Sequence, residues 1–201
     1  MGGTARGRSA VDRGDRVIVH DLGIPGPRLV EPEFHVDERG LFARTFAAAE
    51  FGGGGLESTV AECSVSFNRE RGTLRGMHLQ RSPFGEAKLV RCTRGRIWDV
   101  AVDVRPGSAR FREWVAVELD EDRRGALYLP PGFAHGFVTL EPATEVFYQT
   151  SVPYNAGASI GFRWDDPEVS IGWPLEPVIM SDRDRSLPLL ADLRLELEES
   201  R

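Results

Sequence analysis

The run Ile97-Trp98-Asp99-Val100-Ala101-Val102-Asp103-Val104 constrains the chain most, because its side chains sort at a period of two. Successive side chains of an extended strand point to opposite faces. Trp98, Val100, Val102 and Val104 therefore share one face, and Ile97, Asp99, Ala101 and Asp103 share the other. The result is a sheet strand with two carboxylates facing one way. Related patterns predict strands over 42–46, 62–66, 74–80, 87–94, 114–119, 126–129, 136–140 and 145–150. They recur at short spacing, punctuated by Gly, Pro and Asp, with few helical periods between them. An all-β chain of this kind folds as a β-sandwich or jelly roll.

Helical signals are short and peripheral. One follows a strand at 47–51, and a second spans 188–198, where Leu189, Leu190, Leu193 and Leu197 recur at three- and four-residue steps after Pro188. Leu193, Leu195 and Leu197 also alternate as a strand does, so both readings stand for that segment. The run Gly52-Gly53-Gly54-Gly55 reads as a flexible loop. It lacks the strand, GxGxxG and helix order of a dinucleotide site, and no Walker-type lysine motif occurs.

At 201 residues, with no repeat or internal boundary, one domain over 17–201 is expected, preceded by a mobile Gly- and Arg-rich tail over 1–16. The tail has no apolar middle of a secretion signal, and no apolar run is long enough to cross a bilayer. The 41% hydrophobic and 28% charged content is that of a folded globule. Two cysteines, Cys63 and Cys92, build neither a disulfide framework nor a Cys-x-x-Cys metal site, which fits a reducing cytoplasm. A net charge of -6 opposes general attraction to nucleic acid, while local arginine clusters remain able to hold a small phosphate ligand.

The chain has four histidines, His20, His35, His78 and His135, with no His-x-His pair, so no metal site is expected. The segment Leu74-Arg75-Gly76-Met77-His78-Leu79-Gln80 sets a cation three residues from an imidazole. Strict alternation would put Arg75 on the face opposite His78. Joint use of both requires an irregularity, which Gly76 can supply as a bulge or a close backbone approach. His135 shares a face with Phe133 and Phe137, an arrangement that suits core packing or a ligand pocket.

Several ordered motifs resemble the dTDP-4-dehydrorhamnose 3,5-epimerase family, which acts on nucleotide-linked 4-keto sugars. They include Asp37-Glu38-Arg39-Gly40-Leu41-Phe42, Gly72-Thr73-Leu74-Arg75-Gly76-Met77-His78-Leu79-Gln80, Ala87-Lys88-Leu89-Val90 and Trp98-Asp99-Val100-Ala101-Val102-Asp103-Val104-Arg105. Pro131-Gly132-Phe133-Ala134-His135-Gly136-Phe137, Phe147-Tyr148, Trp164-Asp165-Asp166-Pro167 and Ser181-Asp182-Arg183-Asp184 continue the match in family order. The resemblance implies a cupin-type jelly roll, a homodimer, and a nucleotide-sugar substrate handled without cofactor or metal. It implies no nucleic-acid or membrane partner.

Inverting a carbon beside a ketone needs a base on one face of the sugar and a proton donor on the other. By the motif match, His78 is the expected base, Asp184 the carboxylate that holds its ring, and Tyr148 the opposing donor. Lys88 is the expected stabiliser of the developing oxyanion. Arg39 and Arg75 are expected at the diphosphate. Tyr154 is expected at the nucleotide base, and Glu62, Ser66, His135 and Arg183 are further substrate-binding candidates. Asp99 is a rival partner for an imidazole.

Four positions depart from the family pattern. Val60-Ala61-Glu62 stands where Gln-x-Asn is common, Arg44 replaces a common glutamate, and Glu86 replaces a common glutamine. The implied activity is inversion at C3, C5 or both of a 4-keto-6-deoxy sugar. The alternatives are a mono-epimerase of a deoxysugar pathway, a non-catalytic sugar-binding jelly roll and a metal-dependent cupin oxygenase.

Overall fold

A computed structural model describes residues 16–193 and Leu197. Two antiparallel sheets stack face to face. The strands are β1 (Val17–Asp21), β2 (Arg28–Pro32), β3 (Phe34–Asp37), β4 (Gly40–Ala43), β5 (Glu62–Asn68), β6 (Leu74–Gln80) and β7 (Lys88–Arg94). They continue as β8 (Arg96–Asp103), β9 (Trp114–Asp120), β10 (Ala126–Leu129), β11 (Phe133–Thr139), β12 (Thr144–Thr150) and β13 (Ser159–Gly161). One sheet has the order β1-β2-β10-β7-β12-β5, the other β13-β6-β11-β8-β9, and β3 and β4 form a separate hairpin. Non-sequential neighbours of this sort make a jelly-roll sandwich, as the strand pattern predicts. No described helix is long and apolar enough to cross a membrane.

The alternation in β8 is realised. Ile97 and Ala101 join Val90, Leu127, Leu129, Phe133, Phe137 and Val146 between the sheets. Val100, Val102 and Val104 face outward, under a cover that includes Phe162, Ile171, Leu190, Leu193 and Leu197. The other sheet's outer face is sealed by α1 (Ala48–Gly53), whose Phe51 packs with Leu89, Ala126 and Tyr128.

Several boundaries differ from expectation. The strand expected at 42–46 ends at Ala43, because its only partner among the described residues is the four-residue β3. The Gly52–Gly55 run is not wholly a loop. Gly52 and Gly53 complete α1, and the amides of Gly54 and Leu56 close it by bonding Glu50 and Phe51 carbonyls while Phe51 anchors it in the core. β11 starts at Phe133 rather than 136, extended by pairing along β8 as far as Asp103. Strands β1 and β3 had no clear period because most of their residues are exposed, and the short β2 and β13 because most of their residues are only partly buried. In the C-terminal segment, Leu190–Leu193 forms a 3-10 turn, and the rest of the expected helix, Leu197 apart, lies outside the described residues. The expected tail also lies outside them, except for Arg16.

Strand β6 carries the irregularity that the sequence demands. His78 pairs with His135 and Arg75 with Phe137, so three steps along β6 match two along β11. The extra residue turns Arg75 and His78 to the inner face, where His135 and Phe137 also point. Gly76 sits at φ +137, and a Cβ there would lie 2.6 Å from the Gly136 Cα. Gly136 is also crowded: its own Cβ would lie 2.5 Å from the Met77 sulfur and 3.0 Å from the Arg75 carbonyl oxygen.

Replacing Gly76 by Ala combines backbone strain with overpacking, and is expected to cost about 2–6 kcal/mol of unfolding free energy. Gly40→Ala is the control: Gly40 also has positive φ, at +125, but nothing lies within 4 Å of its Cβ position. Its expected cost is about 1–3 kcal/mol. Equal losses in urea titrations would show that the close approach to β11 contributes nothing.

Candidate active site

The inner faces become polar toward one end of the sandwich. From the five-stranded sheet, β6 contributes His78 and Gln80. From the six-stranded sheet come Lys88 on β7, Tyr148 and Thr150 on β12, and Glu62 and Ser64 on β5. These side chains, with Glu86, Tyr154, Ser159 and Arg183, line a cavity of about 280 Å³. Cross-strand register explains the gathering: Thr150 pairs with Lys88 on one side and with Glu62 on the other.

His78 is half-buried, and its Nε2 lies 2.7 Å from Asp184 Oδ1. Asp184 comes from α2 (Asp182–Arg185), a single turn capped by Ser181, whose Oγ accepts the Asp184 amide at 3.1 Å. Helix capping and histidine binding are therefore compatible, since the cap uses the Asp184 backbone and the ring uses its carboxylate. Burial tends to raise the Asp184 pKa, but the His78 hydrogen bond, its charge, and bonds from Gly76 N–H and Ser181 together bring it below the usual value.

Tyr148 lies across the cavity on the other sheet. Its hydroxyl is 3.1 Å from Ser66 Oγ. Burial drives its pKa strongly upward, only partly offset by Ser66 and by the charge of Arg75, so the phenol keeps its proton at neutral pH. Asp99, the rival for an imidazole, is committed to His135: Asp99 Oδ1 lies 2.7 Å from His135 Nε2 in a buried pair. Burial pushes the Asp99 carboxyl up, and His135 opposes that shift. The His135 ring stands edge-on to Tyr148, with centroids 6.3 Å apart.

Other candidates separate by location. Lys88 Nζ is paired with Glu86 inside the cavity. The Tyr154 amide donates to Glu62 Oε2 at 3.0 Å, and Arg183 Nη2 donates to Ser159 Oγ at 2.9 Å. Arg75 shares the inner face with His78 but lines an adjoining cleft with Phe67, Asn68 and Thr73, where its Nε donates to Asn68 Oδ1 at 2.8 Å. Arg39 is not brought to the cavity; it sits in the β3–β4 turn, paired with Asp37. Sequence reasoning missed Gln80, Ser64, Thr150 and Ser159 as lining residues. Same-face spacing from His78 to Gln80 was the available signal for the first of these; the others depend on pairing between distant strands.

Comparison with known proteins accords with this geometry. A family model described as dTDP-4-dehydrorhamnose 3,5-epimerase matches residues 21–192. A dTDP-4-dehydrorhamnose 3,5-epimerase of Sinorhizobium fredii is 39% identical over 180 residues, spanning 89% of this chain and 92% of that protein. The crystal structure of NovW, a 4-keto-6-deoxy sugar epimerase from the novobiocin biosynthetic gene cluster of Streptomyces spheroides, superposes with a TM-score of 0.86 at 34% identity, covering 94% of this chain and 96% of NovW. ChmJ, a 3'-monoepimerase from Streptomyces bikiniensis solved with dTDP-quinovose, gives 0.82 at 37% identity over 89% of this chain and 91% of ChmJ. With ordered motifs, fold and long sequence matches in agreement, the chain belongs to the dTDP-4-dehydrorhamnose 3,5-epimerase family.

Proposed function

We propose that the cavity between the sheets epimerises a nucleotide diphosphate 4-keto-6-deoxy sugar through an enolate. The observation that carries this reading is the opposition of two different proton-handling groups on facing walls. A carboxylate-supported imidazole stands on β6, and a buried phenol that keeps its proton stands on β12. With Nε2 turned to Asp184, His78 Nδ1 is the nitrogen that takes the proton from the carbon beside the C4 ketone. Electron density moves to the ketone oxygen, where the Lys88 ammonium is the stabilising charge. Tyr148 O–H then protonates the carbon on the opposite face, completing the inversion.

Nucleotide binding follows from the cavity rim. Tyr154 is exposed and is assigned to stack on the base, Arg75 in the adjoining cleft to hold phosphate, and Glu62 and Arg183 to complete the substrate contacts, while Ser66 and His135, which do not line the cavity, act through Tyr148. The likeness to ChmJ, a 3'-monoepimerase, keeps single inversion at C3 as a second reading.

We also propose a homodimer. Val36 and Phe42 on the β3–β4 hairpin are 75% and 61% exposed, and Val65 on the edge strand β5 is 57% exposed, so apolar surface is left on elements that present unpaired edges. Arg39, at the tip of that hairpin, would then face the partner rather than its own cavity. The free thiols of Cys63 and Cys92 fit a cytoplasmic setting.

The decisive assay is solvent deuterium incorporation into a dTDP-4-keto-6-deoxy sugar, followed by NMR at C3 and C5. Wild type is expected to exchange at least one position. His78→Ala is expected to reduce that exchange by about 10³-fold or more, and Tyr148→Phe to retain exchange while losing inverted product. No exchange by wild type with several nucleotide sugars would overturn the enzymatic reading; deuterium at C3 alone would select single inversion.

The ionised Asp184 has a pH signature. Its folded pKa lies below the unfolded value, so its stabilising contribution is present above the unfolded pKa and is lost as pH falls through the folded one. The stability difference between wild type and Asp184→Asn is expected to shrink as pH is lowered below about 4. Other depressed carboxylates are common to both proteins and cancel in that difference. A gap independent of pH would exclude an ionised Asp184 in the folded state. Sedimentation equilibrium is expected to return twice the 22.3 kDa chain mass; a monomer at micromolar concentration would remove the dimer.

A further inference from the structure

Lys88 and Glu86 are two residues apart, so an extended backbone places both side chains on the same face at the entry to β7. That face is the cavity wall carrying Tyr148. The Glu86 side chain is only 5% exposed, and one oxygen pairs with Lys88 Nζ. Its other oxygen, Oε2, is buried with no hydrogen-bond partner among the described residues. A carboxylate so placed is costly by itself, and Lys88 is the cation that compensates it.

Lysine stems readily extend toward water and carry the ammonium out with them. Here the opposite happens: the Lys88 side chain is 15% exposed and turned inward onto the buried acid. We propose that Glu86 is a positioning residue of the epimerisation, acting through Lys88 by holding its ammonium inside the cavity where the enolate oxygen forms. This inference rests on the proposed function and deepens it, assigning a task to a position where the family commonly carries glutamine. The carboxylate adds charge to the acceptor, which strengthens its bond to the ammonium relative to a neutral amide.

The test is a double-mutant cycle on exchange kinetics. Glu86→Ala is expected to lower kcat for deuterium exchange about tenfold or more while changing KM less than threefold, and Glu86→Gln, which retains an acceptor, to recover most of that loss. In a Lys88→Ala background the same Glu86→Ala change is expected to have less than a twofold effect, because the group it positions is gone. Glu86→Asp shortens the arm by one methylene while keeping the charge; it supplies the same cycle should the alanine variant fail to fold. Equal fold-losses with and without Lys88 would overturn the proposal, as would a Glu86→Ala enzyme with unchanged kcat. A rise in KM alone would instead make Glu86 a ligand contact and equally overturn it. Failure of the enzymatic reading is distinguishable, since wild type itself would then exchange nothing.

Discussion

The contact between Gly76 and Gly136 governs the rest of the site. Two backbones approach so closely that neither position has room for a side chain. That approach accommodates one extra residue in β6, and the extra residue reverses side-chain parity between Arg75 and His78. Without it His78 and Arg75 would face opposite sides of the sheet, one of them into the apolar cover formed by Phe162 and Leu190.

The two walls then differ in electrostatic character for separable reasons. On β6, hydrogen bonding outweighs burial and keeps Asp184 ionised beside the imidazole. On β12, burial outweighs hydrogen bonding and keeps Tyr148 protonated. One sandwich thereby sets a carboxylate-supported imidazole and a protonated phenol on facing walls, which is the arrangement that the proposed inversion at a carbon acid requires. The second histidine, His135, is withdrawn from that division by its buried pairing with Asp99 and stands as a wall behind Tyr148.

Much of this was legible in the sequence. The alternation of 97–104 identified a central strand with the correct faces, because its neighbours on both sides are apolar and leave the period undisturbed. The need for an irregularity at Gly76 followed from strand parity together with the joint use of Arg75 and His78 that the motif match implies. Strands such as β1 and β3 were illegible because exposure on both sides removes the period that burial imposes. Arg39 was placed at the cavity by its motif, yet the isolated β3–β4 hairpin holds it elsewhere; motif order carries no information on which strand pairs leave the sandwich. The assignment of Asp99 to His135 was open for a similar reason, since strand register between β8 and β11 decides it.

The state of the His78 ring offers the most direct test. Long-range ¹⁵N NMR on histidine-labelled protein reports which ring nitrogen carries the proton in the neutral form. Expected is a proton on Nε2, shared with Asp184, and a bare Nδ1. A neutral ring protonated at Nδ1 would contradict the dyad, because the nitrogen assigned to accept the carbon-bound proton would already be occupied.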